Sequence, residues 1–141
     1  MKTSSVIAVA VAFTLSGCMA PSHPNAATAT RCQTGDAMQQ TTLYFGLSRP
    51  HGANITADEW QSFVDSDVTP RFKEGLTVFD AKGQWLGEDG KVAREGSKAL
   101  MLIHAPGNQA EQNIEALRTG YKQRFQQESV MRVDSPVCVG F

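Results

Sequence analysis

The chain has 141 residues, 41% of them hydrophobic, and its 13 basic and 14 acidic side chains give a formal net charge of −1. This length and composition predict one small globular domain with enough apolar residues to bury a core. Nucleic-acid binding is disfavoured, because it requires a concentrated basic face that displaces counterions.

The N-terminus predicts an export signal. Lys2 precedes an apolar run over residues 6–13, which is too short to span a bilayer. The run leads into Leu15-Ser16-Gly17-Cys18, which resembles the bacterial lipobox, where diacylglycerol is attached to the cysteine and the chain is cleaved just before it. This resemblance implies a signal peptide over residues 1–17 and a lipid anchor on Cys18.

Residues 18–34 are predicted to be the lipidated cysteine and a flexible tether, because the small polar residues after Cys18 cannot pack. Lipid would then hold the protein on the membrane. Met19 stands where an inner-membrane retention signal has aspartate, which favours the periplasmic side of an outer membrane. Residues 35–141 form the predicted domain.

Two further cysteines predict a disulfide. An exported chain meets an oxidising environment, and Cys32 with Cys138 is the intramolecular pair that remains once Cys18 carries lipid. No Cys-x-x-Cys spacing indicates a redox site. We therefore expect this bond to fasten the N-terminal entry to the last strand.

The first half of the domain predicts a strand, a helix and a second strand. Residues 42–48 alternate between apolar and polar, as a strand does. Thr56 and Glu59 have the spacing of a capping box, and Pro70 ends the helix that follows. The next segment is predicted to contain a strand at 75–80, a turn at 81–83, a short arm at 84–86 and a turn at 87–90.

The second half predicts a strand, a helix and a strand. Residues 98–104 include an uninterrupted apolar run that is typical of a central strand. Asn108 and Glu111 repeat the capping pattern. One side of the second helix is apolar through Ile114, Leu117, Tyr121 and Phe125. Pro136 places the last strand, 130–139, at a sheet edge or a bulge.

This order predicts an α+β fold, the ferredoxin-like βαββαβ sandwich, whose antiparallel sheet carries two helices on one face. The first and third strands are then central. Because the third strand is apolar on both sides, something must cover the second sheet face. The arm around Trp85, the N-terminal segment held by the disulfide, or a second copy of the chain would do so, and we expect a homodimer.

Short motifs occur along the domain at 43–48, 59–60, 68–72, 75–78, 83–85 and 94–98. Their order and spacing resemble a bacterial lipoprotein family called domain of unknown function 3574. The resemblance implies a small exported domain without assigned biochemistry, so it transfers no catalytic or binding residue.

Two groups of side chains are candidate sites. Arg71, Glu95 and Lys98 are placed to form an ion-pair network or, less favourably, a clamp for an anion. Tyr44 and Trp85 are aromatic residues with a polar atom, which suits a ligand pocket on the uncovered sheet face.

His104 ends the third strand just before a helix start, where an imidazole can exchange a proton beside an anion. The three histidines lack metal-ligand spacing, and neither a metal nor a cofactor is predicted. The favoured function is therefore a membrane-anchored periplasmic domain that binds a small ligand or an envelope protein. The alternative is a small periplasmic enzyme that uses His104 with Arg71, Glu95 and Lys98.

Overall fold

A computed structural model describes residues 31–141, so the predicted signal peptide, Cys18 and nearly all of the tether lie outside the described residues. The chain forms strands β1 (Asp36–Gly46), β2 (Thr77–Leu86), β3 (Val92–His104) and β4 (Met131–Val139), with helices α1 (Ala57–Phe63) and α2 (Asn108–Phe125). Helix α1 continues as a π-helical turn over Val64–Val68.

The four strands form one antiparallel sheet in the order β2-β3-β1-β4. Strands β1 and β3 are central, and Pro136 lies on the edge strand β4, where its missing amide donor is tolerated. The predicted ferredoxin-like α+β fold is confirmed.

The core lies between the helices and one face of the sheet. Leu43 and Phe45 of β1 stand opposite Leu100 and Lys98 of β3, and the three apolar side chains are fully buried. Aromatic rings fill the space below the helices with centroid distances between 4.6 and 6.2 Å. This aromatic cluster consists of Phe45, Trp60, Phe63, Tyr121 and Phe125.

The predicted capping box of α1 is present. Thr56 Oγ1 accepts from the backbone amide of Glu59 at 3.2 Å, and the Glu59 carboxylate accepts from the amide of Thr56 at 2.8 Å. The corresponding prediction for α2 is wrong. Asn108 is the first helical residue, and Gly107 precedes it without any side-chain cap.

The predicted turn at residues 81–83 is also wrong. Strand β2 runs without interruption to Leu86 and pairs with β3 as far as Leu86 opposite Val92. A long hairpin results, and its outer part, residues 82–96, extends beyond the end of β1 at Gly46. The Trp85 arm therefore lengthens the sheet and does not cover its second face.

Cys32 and Cys138 form a disulfide with a Cα–Cα distance of 5.5 Å across 106 residues of sequence. The bond fastens the segment before β1 to the end of β4, as predicted. Within residues 31–141, no helix has both the length and the hydropathy to cross a bilayer.

Candidate functional site

The sheet face opposite the helices carries two rows of uncharged side chains, and we call it the open face. Strand register places Thr77, Met101, Thr42 and Val133 in one row and Phe79, Ala99, Tyr44 and Met131 in the next. Phe79, Met131 and Val133 are 51%, 56% and 47% exposed. No segment of residues 31–141 covers this face.

A groove crosses the open face beside the row that contains Tyr44. The next row toward the hairpin end consists of Ala81, Ser97 and Gly46, whose small side chains leave a depression in the surface. Tyr44 and Trp85 stand on either side of it. The groove has a volume of about 750 Å³, which is in the range of small-molecule sites.

The carboxylate of Glu95 lies in this groove directly over Gly46. A Cβ atom added to Gly46 would stand 2.9 Å from Glu95 Oε1 and 3.0 Å from Oε2. Any larger residue at position 46 would therefore displace the carboxylate. Glu95 is half-buried and makes no side-chain hydrogen bond or ion pair with any residue among 31–141.

Trp85 approaches the same carboxylate side chain across Gly83. A Cβ atom at Gly83 would lie 3.9 Å from both the Trp85 ring and Glu95 Cγ. Trp85 is 50% exposed, so one side of its ring is available to a ligand. An unpaired negative charge beside an indole ring is an arrangement that attracts organic cations.

The core holds the backbone beneath Glu95 in place. The hydroxyl of Tyr121 on α2 donates to the Gly46 carbonyl at 2.8 Å, two residues beyond the last pair between β1 and β4. Burial raises the pKa of Tyr121, so the hydroxyl keeps the proton that it donates. The groove floor is thus attached to the aromatic cluster.

His104 belongs to a separate polar network on the helix side of the sheet. Its Nε2 lies 3.0 Å from Thr41 Oγ1, and the Thr41 hydroxyl donates to Asp134 at 2.6 Å. Arg132 joins Asp134 to Glu111 through hydrogen bonds of 2.8 and 2.5 Å. Because His104 and Thr41 are buried, this network ties the three strands β1, β3 and β4 to α2.

The charges in this network favour the ionised carboxylates. Burial alone opposes ionisation of Asp134, but hydrogen bonds from Thr41 and Arg132 outweigh it and lower its pKa. A hydrogen bond from Arg132 likewise lowers the pKa of Glu111. The network is therefore a set of satisfied ion pairs.

The structure does not bring Arg71, Glu95, Lys98 and His104 together. Lys98 pairs with Asp80, and Arg71 contacts Asp67 at 3.7 Å. Lys98 and His104 lie on the helix side of the sheet, and Arg71 lies in the segment after α1. Glu95 instead lies on the open face with Tyr44 and Trp85, which line the same groove.

Sequence analysis missed the two residues that position Glu95. Gly46 appears in the sequence as one glycine in a strand, and Tyr121 as one apolar position of a helix. The sequence signal that could have indicated the groove was the series of small residues at positions 46, 81, 83 and 97, which lie beside Tyr44 and Trp85.

Residues 31–141 contain no cluster of three or more His, Cys, Asp or Glu side chains suited to a metal ion.

Comparisons with known proteins identify a family and a fold. The sequence profile of the family described as "Protein of unknown function (DUF3574)" matches residues 40–141. No curated protein matches the chain. A phage SAM lyase solved in complex with S-methyl-5'-thioadenosine has 14% sequence identity and a TM-score of 0.56, covering 78% of this chain and 96% of the lyase.

CutA from Synechococcus elongatus PCC7942 has a TM-score of 0.48 at 10% identity, covering 72% of this chain and 78% of CutA. The similarity to the phage SAM lyase is one of fold.

Proposed function

Since the chain belongs to the DUF3574 family, which has no assigned function, we propose a function from the site itself. The protein is an exported lipoprotein whose domain binds a small ligand in the groove of the open face. The observation that carries this proposal is the unpaired, half-buried carboxylate of Glu95 between Tyr44 and Trp85.

Several features support a location in the cell envelope. Cys18 ends a lipobox-like motif, and the disulfide between Cys32 and Cys138 is of a kind that is common in exported proteins and rare in the cytosol. A lipid on Cys18 would keep the domain at the membrane surface, and the proposed location is the periplasmic side of the outer membrane.

The groove favours a ligand that combines a positive charge with an apolar group. Glu95 lies on the groove floor and makes no ion pair with any residue among 31–141, whereas Arg49, which lines the rim, is paired with Glu59. Lys82 and Glu128 also line the groove and carry opposite charges. Trp85 and Met131 offer apolar contacts on either side. A cation would thus gain the charge of Glu95 and the face of the indole ring together.

The enzyme alternative rests on four residues that the structure places apart. His104 is buried behind the sheet, and its neighbours Thr41 and Asp134 are occupied by hydrogen bonds. A general acid or base must reach the proton that it transfers. The contacts therefore favour a binding domain.

Choline and its uncharged isostere 3,3-dimethylbutan-1-ol test the ligand proposal. We expect choline to change the fluorescence of Trp85, since Trp60 is buried, and we expect the isostere to bind more weakly. Glu95→Gln should reduce the affinity for choline by about tenfold and leave the isostere unaffected. Binding is measured by fluorescence titration and checked by calorimetry.

Glu88→Gln is the matched control, because Glu88 is an exposed carboxylate in the turn between β2 and β3. Gly46→Ala provides a second variant, which displaces the Glu95 carboxylate without removing its charge. Equal binding of choline and the isostere, or an equal loss in the Glu88→Gln variant, would contradict the proposal. So would the absence of choline binding.

Mass spectrometry of the protein from its native membranes tests the anchor. We expect a mature chain that begins at Cys18 and carries the added mass of the acyl groups. A Cys18→Ser variant should appear with its signal peptide retained and without lipid. An intact N-terminus and an unmodified Cys18 in the native protein would refute the lipoprotein assignment.

A further inference from the structure

Strand β2 forms an edge of the sheet whose outer side pairs with no residue among 31–141. It pairs with β3 alone, over the ten residues from Thr77 to Leu86. The Gly87 amide donates to the Lys91 carbonyl, and this bond fixes the phase of the antiparallel ladder. The odd-numbered residues of β2 therefore bond to β3, whereas the amides and carbonyls at positions 78, 80, 82 and 84 face outward.

The two edges of the sheet differ in their capacity to accept another strand. On β4, the hydrogen bond from the Leu47 amide to the Gly96 carbonyl sets the phase through β1, so Pro136 faces outward and offers no amide. Strand β2 contains no proline, and no bulge interrupts its register with β3. Long regular edges of this kind are templates for strand pairing.

The charges on β2 indicate which strand fits this edge. Asp80 and Lys82 lie on the same face of the strand and flank Ala81 at equal distances. If a second copy of β2 pairs antiparallel about a twofold axis at Ala81, each Asp80 stands opposite the partner's Lys82. A shift of the axis by one residue would place Asp80 opposite Asp80, or Lys82 opposite Lys82.

Both charged groups are accessible for such a pair. Lys82 makes no ion pair with any residue among 31–141. Asp80 pairs with Lys98, but its side chain is 86% exposed, so it can accept from a second ammonium. The edge of β2 is thus complementary in charge to a second copy of itself.

The same register places an aromatic ring beside each groove. Phe79 stands opposite the partner's Gly83 in a pair without backbone hydrogen bonds, where side chains approach most closely. A Cβ atom at Gly83 would lie 3.9 Å from both the Trp85 ring and Glu95 Cγ, so a ring above this glycine reaches both. Phe79 is 51% exposed, and a cross-strand glycine is a position at which aromatic rings pack in sheets.

We infer that two copies of the chain join their β2 strands about a twofold axis at Ala81 and form one continuous sheet. About eight backbone hydrogen bonds link residues 78–84 of the two strands. Because the axis is perpendicular to the sheet, both open faces lie on the same side and both grooves stay accessible. The partner's Phe79 becomes a second aromatic wall beside Glu95 and Trp85. This wall rests on the proposed ligand function, whereas the association does not require a ligand.

Exchange of the two charges tests the register. Native mass spectrometry of the full-length protein, released from detergent micelles, should show a dimer for the wild type. Asp80→Lys and Lys82→Asp should each weaken dimerisation about tenfold, because like charges then stand opposite each other. The Asp80→Lys/Lys82→Asp double variant should dimerise again. Loss of the ion pair with Lys98 is common to Asp80→Lys and the double variant, so it does not explain this recovery.

Gln84→Pro tests the backbone pairing, because it removes one outward amide donor. Gln84→Ala is the matched control, since both variants lose the hydrogen bond that Arg94 donates to the Gln84 side chain. We expect the proline variant to be monomeric and the alanine variant dimeric, with both folded by thermal unfolding. A wild type that is monomeric or trimeric, or a double charge variant as weak as the single ones, would overturn the inference.

Phe79→Ala tests the wall of the groove. It should weaken choline binding about threefold in the dimer and leave binding unchanged in the monomeric Gln84→Pro background. An equal loss in both backgrounds would show that the partner's ring does not line the groove. A dimer that binds no choline would refute the ligand proposal and leave the association standing, whereas a monomeric wild type that binds choline would do the reverse.

Discussion

Glu59 joins two parts of the chain through one carboxylate. It accepts from Arg49 at 2.6 Å and from the amide of Thr56 at 2.8 Å, so the loop after β1 and the start of α1 share the same negative charge. The hydrogen bond from Arg49, followed by that from Thr56, lowers the pKa of Glu59 from 4.5 to about 2. The folded state therefore favours the ionised form more than the unfolded chain does.

This pKa gives the stability a defined pH dependence. A carboxylate whose pKa is lowered by folding contributes stability above its unfolded pKa and loses that contribution as the pH falls from 4.5 to about 2. We expect Glu59→Gln to be less stable than the wild type at pH 6 and to lose less stability between pH 5 and pH 2. Urea denaturation across this range measures both effects.

Glu88→Gln is again the control, because its side chain lies exposed in a turn. It should keep the wild-type dependence on pH. If Glu59→Gln and the wild type lost stability in parallel on acidification, the assigned role of Glu59 would be wrong.

The residue scale also shows how much of the site could be predicted from the sequence. Tyr44, Trp85 and Glu95 were each predicted as candidates, but as parts of different groups. The contact between Glu95 and Gly46 depends on strand register, which brings residue 46 opposite residue 97 and next to residue 95. Register between strands that are 50 residues apart cannot be obtained from local spacing.

At the scale of elements, local patterns predicted α1 better than the hairpin. The capping box of Thr56 and Glu59 forms within four residues, so its geometry follows from sequence alone. The segment 81–83 contains a lysine and a glycine that indicate a turn, yet pairing with β3 keeps it extended. Tertiary pairing thus overrode a local turn preference.

The start of α2 shows the same limit. Asn108 and Glu111 have the spacing of a capping box, but the chain enters the helix one residue earlier, at Gly107, whose φ is 156°. The loop that leads into this entry follows His104, whose imidazole is hydrogen-bonded to Thr41 and to the Ala105 carbonyl. The contact between Thr41 and His104 joins residues that are 63 positions apart, so local spacing does not reveal it.

At the scale of the whole molecule, topology was predictable because β1, α1 and α2 had a clear hydrophobic period, β3 had an uninterrupted apolar run, and the connections were short. The disulfide was predictable because few cysteines were available. The contribution of the disulfide to the free energy of unfolding can be measured separately.

Removing the disulfide should destabilise the domain strongly. The bond closes a loop of 106 residues, and the lost entropy of the unfolded chain corresponds to about 5 kcal/mol of unfolding free energy. We expect reductant to lower the urea midpoint of the wild type accordingly. The Cys32→Ser/Cys138→Ser double variant should unfold at the midpoint of the reduced wild type and should not respond to reductant.

If the urea midpoint of the wild type were the same with and without reductant, the disulfide would contribute no stability. The comparison is made at one pH, so that the ionisation of Glu59 does not enter the result.

The disulfide also fixes the point at which the chain enters the domain. Cys32 is bound at the end of the sheet where β1 begins, and the groove lies at the other end of β1, about 30 Å away along eleven residues. In the proposed lipoprotein, the segment from Cys18 would enter the domain at the end of the sheet opposite the groove. An anchor at that end would leave Tyr44, Trp85 and Glu95 accessible to solutes of the aqueous compartment.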